Sequence, residues 1–120
     1  MQRLHRESDI KRVFREGCRF HSPVAVLHAR RRSGEQRTLP GPRLTVIAGR
    51  SFPTAVARSR ARRILREVSR ILLKDTRDPC DLLVVASPEA LAQPYQARLQ
   101  TLADLFRRAK LLPEKAVTPR

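Results

Sequence analysis

The sequence predicts one domain of packed helices and strands, α+β or α/β in two layers. Three observations carry that reading: an amphipathic run with helical period at 54–74, and short β-branched apolar runs on either side of it, at 43–48 and 81–86. Strand, long helix, strand is a parallel crossover unit. At 120 residues the chain is large enough for one modest core and too short for two.

Residues 1–7 lack periodicity and read as a basic, irregular lead-in. A first helix is expected from Ser8 as N-cap, with Asp9 complementing the dipole and Ile10, Val13 and Phe14 at i, i+3 and i+4. Gly17 ends it, and Lys11, Arg12 and Arg15 take its other face. From 18 to 31 the pattern changes to period 2. Phe20, Val24, Val26 and His28 share one parity, interrupted by Ser22-Pro23, which predicts two strands or one bent strand.

The stretch 30–42, RRRSGEQRTLPGP, is rich in turn formers and charge and reads as a loop. RLTVIA at 43–48 is a strand, Thr54 caps the central helix, and 74–79 is a polar turn. DLLVVA at 81–86 is a nearly continuous apolar strand of the kind buried on both faces. Ser87-Pro88-Glu89 opens one or two helical turns, with Ser87 as N-cap and proline at the first position. The last helix, about 95–110, places Leu99, Leu102, Phe106 and Ala109 on one stripe. A single domain over 1–112 is expected, with 113–120 a disordered tail.

Charge narrows the partners. Lys and Arg number 26 against 11 Asp and Glu, a formal net charge of +15, and only four of the 26 are Lys. Such an excess opposes compaction and suits a protein that works on nucleic acid; planar guanidinium groups bind phosphate bidentately and stack on bases. No stretch approaches a membrane span, and the N-terminus has no apolar signal segment. The expected location is the cytoplasm, with no membrane partner. Cys18 and Cys80 read as reduced thiols without metal-ligand neighbours, and no disulfide-linked partner is expected.

The central helix concentrates this charge. Its apolar residues, Ala57, Ala61, Ile64, Leu65, Val68, Ile71 and Leu72, gather in a sector of roughly 120°. Arg58, Arg62, Arg63, Arg66 and Arg70 fall outside it. With Arg60, six arginines face one acid, Glu67, so ion pairs within the helix cannot neutralise them. A face built for solubility alone would interleave both signs. An external polyanion is the expected partner.

Catalytic patterns are missing from the sequence. His5, His21 and His28 are scattered, and there is no HExxH, phosphate loop or nucleophile elbow. Each carboxylate sits among arginines, a poor setting for a proton-sharing pair or a metal site. No catalytic or metal-ligating residue is therefore assigned. Aromatics are few, which limits any stacking platform, but Phe14, Phe20 and His28 would line a small cleft if the first helix lay over the strands.

The residues AVARSRARRILRE at 55–67 resemble the AVxRNRxKRxxRE pattern of the protein subunit of bacterial ribonuclease P. SDIKRVFREG at 8–17, the strand at 43–48 and CDLLVVA at 80–86 occur in that family's order, and the resemblance spans most of the chain. It implies an α+β two-layer sandwich with about four strands in a mixed sheet, three helices, and a left-handed crossover around the Arg-rich helix. It also implies an accessory subunit of an endoribonuclease. A large RNA subunit would perform Mg²⁺-dependent hydrolysis, removing the 5′ leader of precursor tRNA, with Mg²⁺ held mainly by that RNA and the substrate. Arg50, Arg58, Ser59, Arg60, Arg62, Arg63, Arg66 and Arg70 would face the ribonuclease P RNA. Ile10, Phe14, Val26 and His28 would line the cleft for the precursor-tRNA leader, and the reading of strand parity adds Phe20 to it.

Departures from the pattern stand at Ser59 and Thr54 (Asn in the family), Ile10 (Phe), Ser51 (Lys) and Phe52-Pro53 (a small residue and Gly). They predict weaker leader stacking, and a serine contact in place of a bidentate amide. Two other classes fit the same basic helix: a structural RNA-binding protein such as a ribosomal protein, and a helix-inserting DNA-binding protein. The latter needs a helix and turn directly before the Arg-rich helix, where RLTVIAGRSFPT supplies a strand.

Overall fold

A computed structural model describes residues 2–34 and 41–113. Its elements run β1 (Gln2–Arg3), α1 (Glu7–Glu16), β2 (Cys18–His21), β3 (Ala25–Arg31), β4 (Arg43–Ala48), α2 (Ala55–Leu72), β5 (Cys80–Ala86), α3 (Glu89–Ala92) and α4 (Tyr95–Arg108). The expected tail, apart from Pro113, and the middle of the expected 30–42 loop lie outside the described residues.

One mixed sheet has the order β1-β4-β5-β3-β2. β4 and β5 pair in parallel across the α2 crossover, while β3 pairs antiparallel with β5 and β2. The α+β class holds, with five strands rather than about four and a fourth, single-turn helix. β5 is central, and as its apolar run requires, Leu82, Leu83 and Val84 are fully buried. Alternation divides them: Leu82 and Val84 join the larger core with Leu27, Leu44, Val46, Leu65, Val68, Leu102 and Phe106, while Leu83 packs with Leu4 and Val13 under α1. Helices thus lie on both faces of the sheet.

Several expectations are corrected. The lead-in is not irregular: Gln2 and Arg3 pair with Arg43 and Leu44, and Leu4 is buried, its N–H donating to Leu44 O at 2.9 Å. Helix α1 starts two residues earlier than expected, with Arg6 as N-cap and Ser8 inside. Arg30 and Arg31 belong to β3, not to the loop. Ser87 does not cap α3; its hydroxyl donates to Pro23 O and Val24 O across the sheet end. Ile71 is 54% exposed, because it lies on the margin of the apolar sector, three turns from Arg60.

Other features follow the sequence. Thr54 Oγ1 accepts from Ala57 N–H at 3.0 Å, capping α2. Gly17 ends α1, and its requirement is space: a Cβ there would stand 2.6 Å from Val13 O and 2.9 Å from Ala29 O. Its φ of −79° is open to any residue. The glycine lets the end of α1 lie directly on β3.

Candidate nucleic-acid interface

Helix α2 buries Ala61, Leu65, Val68 and Ser69 against the sheet and turns its arginines outward. Arg58 and Arg62 are half-buried at the helix–sheet margin; Arg60, Arg63, Arg66 and Arg70 are exposed. Arg58, Arg62, Arg66 and Arg70 recur at i+4 and form one row, which is the row nearest β4 and β1. Arg60 and Arg63 stand on the other flank with Ser59. Arg62 Nη2 donates to Ser59 Oγ at 3.1 Å, so the serine braces a guanidinium along the helix. Arg50 is exposed in the connection from β4.

Six of the described carboxylates, Glu7, Asp9, Glu16, Asp78, Asp81 and Asp104, pair with cations elsewhere. Among the described residues every salt bridge joins groups outside α2: Lys11–Glu7, Arg15–Glu16, Arg30–Glu16, Arg31–Asp78, Arg32–Asp81, Arg43–Asp9, Arg43–Asp81 and Arg107–Asp104. The Glu16 carboxyl is held below its ordinary pKa by its hydrogen bond from Arg30. The α2 arginines are left with no carboxylate partner among the described residues. A dense positive field along the outward side of α2 is the result, of the kind a polyanion neutralises.

A second candidate surface lies on the opposite face of the sheet. Phe14, 46% exposed on α1, meets His28 of β3 edge-on, with ring centroids 4.8 Å apart and planes at 67°. Burial lowers the His28 pKa first, and the charges of Arg19 and His21 lower it further, which favours the neutral imidazole. Register aligns Val26, Val85 and Ile47 in one row beside His28, all only partly buried, with Ile10 at the margin. The result is a partly exposed apolar surface edged by an aromatic ring.

Phe20 is not part of it. It pairs with Leu27 and packs in the α2–α4 core. The shared parity of 20 and 28 does not survive the chain reversal at Ser22-Pro23, after which the hairpin sets the faces anew. The structure therefore brings Ile10, Phe14, Val26 and His28 together and sends Phe20 to the other side. Val85 and Ile47, read from the sequence only as strand residues, complete the floor.

One buried cluster escaped the sequence reading. Asp81, 1% exposed, accepts from Arg32 at 2.9 Å and from Arg43 at 2.7 Å on each carboxylate oxygen. Arg32, 2% exposed, also donates to Cys80 O and Gly41 O, and Arg43 reaches Asp9 of α1 at 3.5 Å. The Arg43 pKa is raised by its bond to Asp81. A lone carboxylate opening an otherwise apolar central strand was the available signal. The cluster ties α1, β3, β4 and β5 at one end of the sheet.

Nothing in this arrangement offers a metal site: among the described residues no group of three or more His, Cys, Asp or Glu could hold an ion. No described helix is long and apolar enough to cross a membrane. Cys80 is buried, its thiol pushed up to about 12 by desolvation, and Cys18 is exposed.

Comparison with known proteins converges on one family. The family model described as Ribonuclease P matches residues 1–110. The ribonuclease P protein component of Mycobacterium avium is 35% identical over 107 residues, covering 88% of this chain and 89% of that one. That of Symbiobacterium thermophilum is 33% identical over 110 residues, covering 92% of each. The RNase P protein of Staphylococcus aureus superposes with a TM-score of 0.78 at 18% identity, over 94% of this chain and 99% of that one. For the Thermotoga maritima protein the TM-score is 0.74 at 21% identity, over 90% and 97%. The structures carry the fold and the sequence matches carry the kinship: the chain belongs to the ribonuclease P protein family.

Proposed function

We propose that this chain is the protein subunit of a ribonuclease P, binding the catalytic RNA through the arginines of α2 and the 5′ leader of precursor tRNA through the cleft under α1. The observation that supports it best is the set of α2 arginines without a carboxylate partner among the described residues. In this reading Arg58, Arg60, Arg62, Arg63, Arg66 and Arg70 lie against RNA phosphates, with Arg50 and Ser59 beside them. Their work is to lower the repulsion between RNA strands that must approach each other.

The leader has a different surface. Ile10, Phe14, Val26 and His28, with Val85 and Ile47 as floor, give an unpaired nucleotide an apolar bed and one ring to stack on. A neutral His28 adds a hydrogen-bonding edge without repelling Arg19. The endonucleolytic step belongs to the RNA, and the described residues supply no ligand set for Mg²⁺. The chain contributes charge and shape.

Reconstitution tests this. With a cognate ribonuclease P RNA at low Mg²⁺, adding the protein should raise precursor-tRNA cleavage well above RNA alone, with the precursor bound more tightly than mature tRNA. Equal cleavage with and without the protein, and no preference between the two tRNAs, would indicate a purely structural RNA-binding role.

A further inference from the structure

We propose that the RNA-binding surface continues past α2 onto the N-terminal edge of the sheet, where Arg3 joins Arg62, Arg66 and Arg70 in a groove that holds the phosphodiester backbone of the RNA. The proposal rests on the functional reading above and deepens it by naming a further binding residue and the path of the strand.

The groove encloses about 370 Å³ between the sheet-side row of α2 and the β1–β4 edge, with Gln2, Arg3, Arg62, Arg66 and Arg70 on its walls. Beside it lies a second hollow of about 660 Å³ that shares Gln2 and Arg70 and adds Lys74 and Arg77. Among the described residues six cations thus border these two adjoining hollows, against a single acid, Glu67. None of the six is in a salt bridge among the described residues.

Local structure explains why Arg3 is there. β1 pairs in parallel with β4, setting Arg3 opposite Leu44, whose side chain faces the α2 core. Paired residues share a face, so Arg3 projects toward α2 rather than toward α1. The next residue, Leu4, is buried on the other face and bonded to Leu44 O, which anchors the segment. A two-residue strand therefore holds the backbone from which the Arg3 side chain lines the groove.

The spacing suits a polymer of phosphates. Arg62, Arg66 and Arg70 are separated by about 6 Å along the helix axis, close to the step between successive phosphates on one strand. Each guanidinium can grip a phosphate with two parallel N–H bonds. Among the described residues Ile71 is the only large exposed apolar side chain bordering these hollows, too little surface for a lipid-inserting face.

The test measures binding of the full-length protein to its cognate ribonuclease P RNA across a range of KCl. Arg3→Ala should weaken binding roughly fivefold and reduce the log–log salt slope by about 0.7–0.9, as expected for one lost phosphate contact. Arg3→Lys should keep most of the slope, since it keeps the charge and the β1 backbone. Arg107→Ala removes the same charge from α4, where Arg107 pairs with Asp104, and should leave the slope unchanged. Arg63→Ala, on the far flank of α2, reports on the functional reading itself. A slope lowered by Arg63→Ala but not by Arg3→Ala overturns the groove and leaves that reading intact. A wild-type protein that does not bind the RNA overturns both. Matching thermal melts for Arg3→Ala and wild type establish that the loss is in the interface.

Discussion

Replacing Asp81 with Asn should lower the melting temperature by about 12 °C, with a urea m-value that does not change. The carboxylate is 1% exposed and receives three hydrogen bonds from two guanidinium groups, of which the Arg32 side chain is fully buried. Asn keeps one acceptor but presents an NH₂ to the Arg43 Nη2 that now donates to Oδ2, and it removes the negative charge between two positive ones. Breaking a buried pair from one side costs about 3–5 kcal/mol. Arg32 retains Cys80 O and Gly41 O, and Arg43 retains Asp9, which places the loss near the lower end, about 3 kcal/mol. For 120 residues the unfolding entropy is about 0.25 kcal/mol/K, and the quotient is the 12 °C stated above. Circular dichroism melts at fixed ionic strength are the assay. Asp9→Asn, with its single contact at 3.5 Å, should cost much less. A midpoint for Asp81→Asn within about 3 °C of wild type would refute the idea that this cluster pins the sheet end.

Two further outcomes are expected. Iodoacetamide at mild alkaline pH should modify Cys18 in the native protein and leave Cys80 unmodified until denaturant is added, because burial pushes that thiol up to about 12; mass spectrometry of the native digest checks it, and native labelling of Cys80 would contradict it. The folded-state pKa of His28 lies below the ordinary 6.5, so the unfolded chain takes up its proton first as pH falls. Stability from this group is therefore full above pH 6.5 and declines on acidification toward the lower folded value. Urea titrations should show that His28→Gln flattens this part of the profile, and an identical pH slope in the variant would count against it.

Much of the architecture could be read from sequence because its signals are local. The helical period of 54–74, the cap at Thr54 and the apolar run of β5 each announce themselves within a few residues. What escaped depends on partners far along the chain. A two-residue strand has no period to detect, and β1 exists only because β4 offers an edge. Phe20 was assigned to the leader cleft by counting parity through a turn, and the hairpin register reverses that assignment. Residues 9, 32, 43 and 81 form one ionic cluster, although nothing in their separate neighbourhoods pairs them.

The same contrast holds for the candidate interface. The excess of arginine over acid on α2 was visible in the sequence, while its division into a row beside the sheet edge and a separate outer flank required the fold. Ile71 illustrates the limit of a helical wheel: its angular place was apolar in pattern, yet no sheet reaches it, and it is exposed.

The most direct measurement is the salt dependence of affinity between this protein and a cognate ribonuclease P RNA, for wild type and for the double variant Arg62→Ala/Arg66→Ala. If the α2 row lies on phosphate, the log–log slope should fall by roughly 1.5, with cleavage of precursor tRNA at low Mg²⁺ dropping toward that of the RNA alone. A slope and a cleavage rate both equal to wild type would show that RNA does not contact this face.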